Sequence, residues 1–277
     1  MKKMTGIMAG WLIMSATEAK KDYGFVVENG KIVEIVPNEK LLGKEGVIDA
    51  RDSIVCPTFT NTHTHFYETL AHGATEPNLS LKPLLEDFWW PVVENRQTLE
   101  TIRISTEYSA LESMTSGVTL CNDILEAPFA ERGKRLLTEE AVIRKAGMKA
   151  VLSLESNERI STENGYENLE ENKNFILKMR ETGNSDIRGT ICTHTTFSCS
   201  TPFLMKAAGM ARDMDEYIQI HMNEGPDEDK CCVDKYGMTT AELYKKIGFW
   251  EGGKAWANQC SCMEPVELNI MGQMGVG

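Results

Sequence analysis

Positive charge is scarce in this chain of 277 residues: 29 Lys and Arg stand against 41 Asp and Glu, a formal net charge of −12. Sequence-independent nucleic-acid binding needs a basic face, so that class of partner is excluded and a small-molecule substrate fits the balance. Long apolar runs are also missing. No stretch approaches the roughly 20 apolar residues of a membrane span, so no membrane partner is expected. Lys2-Lys3 followed by Met4 to Met14 has the outline of a signal peptide. Gly6 and Gly10 interrupt it, however, and Ala16-Thr17-Glu18-Ala19 puts an acid where a cleavage site wants small neutral residues. The expectation is a first β-strand in a cytoplasmic protein. The eight cysteines include no C-x-x-C pair; Cys231-Cys232 and Cys260-x-Cys262 lack the spacing of a structural zinc site, and free, mostly buried thiols are expected. No Gly-rich phosphate loop follows the first strand of the α/β part, where the chain reads His-Thr-His-Phe-Tyr-Glu.

What is present is an ordinary globular composition, 42% hydrophobic and 25% charged. Residues 4 to about 55 read as β. The clearest piece is a hairpin over Phe25–Val36, because Asn29 and Gly30 both tolerate the positive φ of a type I′ turn. Val47–Ala50 is another short strand, and Ile54–Thr60 reads as a strand leading to His63. The pattern then alternates. Helices are predicted over 81–94 with Phe88, Trp89 and Trp90 facing the core, 98–115 with Ile102, Ile104, Tyr108, Leu111 and Met114 at helical spacing, 129–146, 168–182, 201–214, 239–247 and 264–275. Strands fall between them near residues 119, 151, 190, 219 and 258. Strand–helix alternation builds a parallel sheet. The expected architecture is α/β: a (β/α)8 TIM-barrel type with about six of eight units over 56–277, preceded over 1–55 by part of a small β-sandwich. A doubly wound open sheet also accommodates six strands but lacks its phosphate loop.

Five histidines are present, and four of them (His63, His65, His194 and His221) fall at C-terminal ends of predicted strands. That edge carries the active site in barrels and open α/β sheets alike. His63 and His65 alternate on one strand, so both imidazoles leave the same face and can hold one divalent ion. His221 can complete a three-imidazole set. Glu224, three residues on, is placed to move protons beside a metal-activated water. His194 is a candidate for contacting substrate. The fourth strand carries no lysine to bridge two metals, so a single ion is expected; zinc comes first, with iron or manganese as alternatives for such a donor set. His72 is given no role.

Asn61-Thr62-His63-Thr64-His65 after a Pro-containing segment, the preceding β-portion, His194-Thr-Thr-Phe-Ser-Cys-Ser and His221-Met-Asn-Glu together resemble the amidohydrolase superfamily, in its chlorohydrolase/deaminase branch, which includes the methylthioadenosine/S-adenosylhomocysteine deaminases. The resemblance implies His63, His65 and His221 as metal ligands, Glu224 as proton shuttle and His194 as a substrate contact. It also implies attack of metal-activated water on a C–N or C–halide carbon. The chain departs from the pattern where a His-Cys-x-His segment is usual and Gln259-Cys260-Ser261-Cys262 stands instead: Gln259 can hydrogen-bond at the catalytic position but accepts no proton near neutral pH. It also ends before the strand that carries the family's metal-binding aspartate. Six strands leave two unpaired edges, which a longer chain or self-association into a homo-oligomer would cover. A metal-dependent deaminase of a heterocyclic amine is therefore weighed against an inactive homologue that binds metal or ligand only. The zinc-deaminase fold built on His-x-Glu and Pro-Cys-x-x-Cys is excluded, since neither motif occurs.

Overall fold

Asn29 and Gly30 turn the chain as their residue types dictate, with φ of 51° and 77°, and join two antiparallel strands, Tyr23–Glu28 and Lys31–Pro37. The computed structural model describes residues 4–74, 79–183 and 185–277. Lys2-Lys3 and residues 75–78 of the loop after His65 lie outside them. The chain divides into two units, Met1–Phe59 and Thr60–Gly277.

The first unit is one five-stranded sheet: β1 (Gly6–Ile13), β2 (Ala19–Lys21), β3 (Tyr23–Glu28), β4 (Lys31–Pro37) and β5 (Val47–Val55). β2 and β3 pair antiparallel with the two halves of β1, and β5 pairs with it in parallel. Gly10 sits in β1 where a Cβ would stand 2.5 Å from the Arg51 carbonyl of β5, so a side chain there would push the strands apart. Met8, Val36 and Leu41 pack on one face, and Ala9, Leu12 and Phe25 on the other.

The expected strand over Ile54–Thr60 is not one strand. Ile54 and Val55 end β5, paired with Trp11 and Leu12, and a new strand, β6, begins at Phe59. Pro57 has no N–H for a ladder, and the chain leaves one sheet and enters another there.

The second unit alternates as predicted. After β6 (Phe59–Thr64) come α1 (Leu81–Pro83), a wide π-helical stretch over 84–93, α2 (Leu99–Thr115), β7 (Val118–Leu125), α3 (Arg135–Ala146), β8 (Lys149–Leu154) and α4 (Thr162–Thr182). β9 (Ile187–Gly189) and β10 (Ile191–Thr193) are one predicted strand broken at Thr190, followed by α5 (Thr201–Asp213), β11 (Ile218–Met222), α6 (Pro226–Tyr236), α7 (Thr240–Lys246), β12 (Ala255–Gln259) and α8 (Pro265–Met274).

Two sheets, β6-β7-β8-β9 and β10-β11-β12, are bridged between Ser156 and Thr193. The β7/β8, β8/β9, β10/β11 and β11/β12 pairs are parallel. Strand order follows the sequence throughout. A doubly wound sheet reverses its order at a switch point, so that alternative is excluded and the fold is of TIM-barrel type. The strands curve around an interior. Gln219 of β11 accepts from Asn122 of β7 (2.8 Å), Trp256 (2.9 Å) and Asn258 (3.1 Å) of β12, and donates to Ser153 of β8 (3.0 Å). Asn122 donates in turn to the Thr62 carbonyl of β6 at 2.9 Å.

Four helix readings need correction, the first being that α4 begins at Thr162 rather than 168. α2 forms, capped by Thr98 and Thr101, but it buries Ile102, Ser105, Thr106, Ser109 and Ala110. Ile104, Tyr108, Leu111 and Met114 are exposed; the small residues form the packed face. α3 begins at Arg135 rather than 129. α6 has no counterpart among the expected helices, yet Pro226 at its first turn followed by Asp227, Glu228 and Asp229 is a helix start in which the acids face the positive end of the dipole.

Candidate metal centre

β6 ends at Thr64, so His63 lies on the strand while His65 stands just past it, at the start of a 3₁₀ turn over Phe66–Ala71. His221 lies on β11. The three rings converge: centroids are 4.8 Å apart for His63–His65, 4.9 Å for His63–His221 and 5.2 Å for His65–His221. One ring nitrogen from each lies within 4.8 Å of the others.

The outward nitrogens fix the chemistry. His65 Nδ1 lies 2.8 Å from the Ile124 carbonyl of β7. A carbonyl only accepts, so Nδ1 carries the proton and Nε2 keeps a bare lone pair. That lone pair faces His221 Nε2 at 3.1 Å, and the contact requires a proton or a cation between the two atoms. His221 Nδ1 faces Glu155 Oε2 at 3.4 Å. Burial, reinforced by the His65 imidazole, pushes His63 down to about 4. Burial alone brings His65 to about 4, and burial with His65, His194 and His63 lowers His221 well below the ordinary range. Three neutral imidazoles aimed inward are the donor set a divalent ion takes, so the residues present fit a metal.

Around this cluster the sequence-predicted residues fall as follows. His194 follows β10, and its Nδ1 lies 2.6 Å from Ser198 Oγ. Its ring is 5.4 Å from that of His221 and 6.3 Å from that of Trp90. Glu224 lies in the β11–α6 loop, mostly buried; desolvation, with the charge of Glu68, raises it to about 7. Glu68 follows His65 in the 3₁₀ turn, accepts from Trp89 Nε1 at 2.7 Å, and burial pushes it too up to about 7. Gln259 ends β12 with φ 71°, followed by Cys260 at 55°. Its amide nitrogen lies 3.2 Å from His63 Nε2. His72 ends the 3₁₀ turn.

Several buried groups at this end escaped the sequence reading. Glu155, just past β8, reaches His221 and also stands 3.8 Å from His194 Nδ1. It lies at a strand end like the histidines, the signal that could have singled it out. The Arg159 side chain is 4% exposed and joins Glu94 (2.8 Å), Glu126 (2.9 Å) and Asn95 (2.8 Å) beneath the Trp90 ring. Arg159 and Glu126 are loop positions and Glu94 and Asn95 open a short 3₁₀ turn, with no motif among them. Trp90, Arg159, Phe197 and Ser198 line a cavity of about 430 Å³ beside His194. Glu228 is fully buried and accepts from the Thr196 and Asn223 amides at 3.0 and 2.6 Å.

The amidohydrolase family model matches residues 54–276. The chain belongs to the amidohydrolase family. It is 29% identical over 258 residues to a 5'-deoxyadenosine deaminase of Methanocaldococcus jannaschii, covering 92% of this chain and 59% of that protein. It is also 29% identical over 258 residues to a 5-methylthioadenosine/S-adenosylhomocysteine deaminase of Caldicellulosiruptor saccharolyticus, covering 91% and 56%. The chain thus spans little more than half the length of these relatives. Among solved structures, an adenosine deaminase from Xanthomonas campestris with bound zinc superposes with a TM-score of 0.85 at 18% identity, over 99% of this chain and 61% of that one. Guanine deaminase from C. acetobutylicum with bound guanine gives 0.84 at 19% identity, over 98% and 66%.

Proposed function

We propose that this amidohydrolase chain carries the metal-binding part of a hydrolase of non-peptide C–N bonds that deaminates a heterocyclic amine, an adenosine derivative first. The observation that carries the reading is the convergence of His63, His65 and His221, with His65 Nε2 and His221 Nε2 3.1 Å apart. These three residues would hold one divalent ion, zinc in the first place and iron or manganese otherwise. Bound there, the ion supplies the charge that makes a water nucleophilic near neutral pH.

The chain's own groups do the rest. Glu224, poised near 7, takes the proton from the attacking water and delivers it to the leaving amine; a carboxyl titrating near the working pH can do both. Trp90 and Arg159 line the cavity of about 430 Å³ that receives the substrate, and His194 stands behind its wall against Ser198 and Trp90. Gln259 offers a hydrogen bond at the same mouth but takes no proton. The relatives' names support deamination. Gln259 favours the second reading, an inactive homologue that keeps metal or ligand binding.

In the same proposal, residues 56–277 form six of the eight units of the barrel and residues 1–55 the N-terminal part of a composite β-sandwich. The protein is cytoplasmic and acts on a small molecule, without nucleic acid or membrane; among the described residues no helix is long and apolar enough to cross one. It forms a homo-oligomer if its strand edges pair. Ammonia release from adenosine, 5'-deoxyadenosine, methylthioadenosine and guanine by zinc-loaded protein tests the reading. Metal binding with no turnover on any of them supports the inactive homologue instead.

A further inference from the structure

Next to the segment that carries His65, two acids are buried in the core. Asp123 lies on β7 and Glu139 on α3, and both are 0% exposed. Their carboxyl groups stand close enough for a hydrogen bond that only a shared proton can complete. Asp123 Oδ2 and both Glu139 oxygens have no other partner among the described residues. Asp123 Oδ1 accepts the Phe66 amide N–H at 2.6 Å. The next residue, Ile124, takes the His65 ring through its carbonyl at 2.8 Å. Consecutive residues of β7 thus hold the backbone just after His65 and the ring itself.

Two carboxylates without a cation cannot both be ionised in a dry core, so one proton stays between them. The Phe66 N–H decides where it sits. A short N–H···O bond favours the charged acceptor, so Asp123 is the carboxylate and Glu139 the acid. We propose that Glu139 is a positioning residue for His65: as a neutral acid it donates its proton to the Asp123 carboxylate, which fixes the Phe66 N–H and so the backbone that presents His65 to the metal. The direction of the shifts agrees. Burial and the facing Asp123 push Glu139 well above the carboxylate range, while Asp123, raised by burial and lowered by its hydrogen bonds, reaches only about 7. The inference rests on His65 being a metal ligand.

The test is Co2+ affinity of the metal-free chain, by chelator competition, with the visible spectrum of the bound ion, in the parent and in E139Q, E139L and H65A. The amide of E139Q still donates to Asp123, so affinity and spectrum should stay those of the parent. E139L leaves Asp123 without its donor. Affinity should fall by about 10- to 100-fold, the usual effect of removing support behind a ligand, and the spectrum should change. An E139L protein that is folded by circular dichroism and binds Co2+ as the parent does would overturn the inference, as would equal losses in E139Q and E139L. H65A should lose Co2+ binding. If it does and E139L does not, only the positioning role fails; if H65A binds normally, the ligand assignment fails and takes the inference with it. Should E139L not fold, infrared difference spectra of the parent and E139Q decide. A protonated-carboxyl C=O band must persist above neutral pH in the parent and vanish in E139Q, and its absence from the parent contradicts the shared proton.

Discussion

His65 and His221, 156 residues apart in the chain, bring their Nε2 atoms to 3.1 Å with rings stacked 13° from parallel. The Ile124 carbonyl holds the proton of His65 on its other nitrogen, so this contact is a lone pair in search of a positive charge. His63 closes the third side. The remaining predictions follow from how the fold holds these rings and the acids around them.

Glu155 backs His221 at 3.4 Å. Replacing it by Leu removes the only carboxyl described on the Nδ1 side of that ring. Zinc affinity should drop by about 10- to 100-fold while circular dichroism is unchanged. Unchanged affinity would mean that Glu155 serves the substrate side alone.

Glu224 is the proposed proton carrier. Glu224→Gln should lower kcat/KM by about 10²- to 10⁴-fold with the metal content intact. Its carboxyl must be ionised to accept a proton, and it sits near 7. Activity should therefore fall as pH drops below neutrality. A full rate in the Gln variant, or an acid limb unchanged by it, rules the assignment out.

Arg159 offsets two buried acids, Glu94 and Glu126. Arg159→Leu strands both in the core and should cost about 3–5 kcal/mol in urea unfolding, the range for breaking a buried pair from one side. A loss of about 1 kcal/mol or less, typical of exposed pairs, would show that the cluster is not dry.

Glu228 is raised from 4.5 to about 7, chiefly by burial, against hydrogen bonds from Thr196 and Asn223. Folding therefore favours its neutral form. The associated stability is whole below the unfolded value and is lost as pH rises through about 7. The stability of the parent relative to E228Q should decline between about pH 5 and about pH 8. A difference that is flat with pH contradicts the shift.

Much of this was legible from residue order. Strand–helix alternation, the Asn29-Gly30 turn and the preference of His63, His65, His194 and His221 for strand ends are local signals, and local signals survive in a sequence. The face of α2 was not legible, because its apolar spacing points outward and its Ser, Thr and Ala pack inward. The break at Pro57 was hidden inside an apolar run. Arg159, Glu94 and Glu126 meet only through tertiary folding; their separations of 65 and 33 residues leave no pattern to read. Glu155 was the avoidable miss, a carboxyl at a strand end beside residues chosen for that same placement.

The most direct measurement is calorimetric titration of the metal-free chain with Zn2+, repeated for His63→Ala, His65→Ala and His221→Ala. One ion should bind per chain in the parent, and binding should be weakened or lost in each variant, with the apo proteins still folded. A parent that binds no zinc, or three variants that bind it as the parent does, would rule out a metal centre at these three imidazoles.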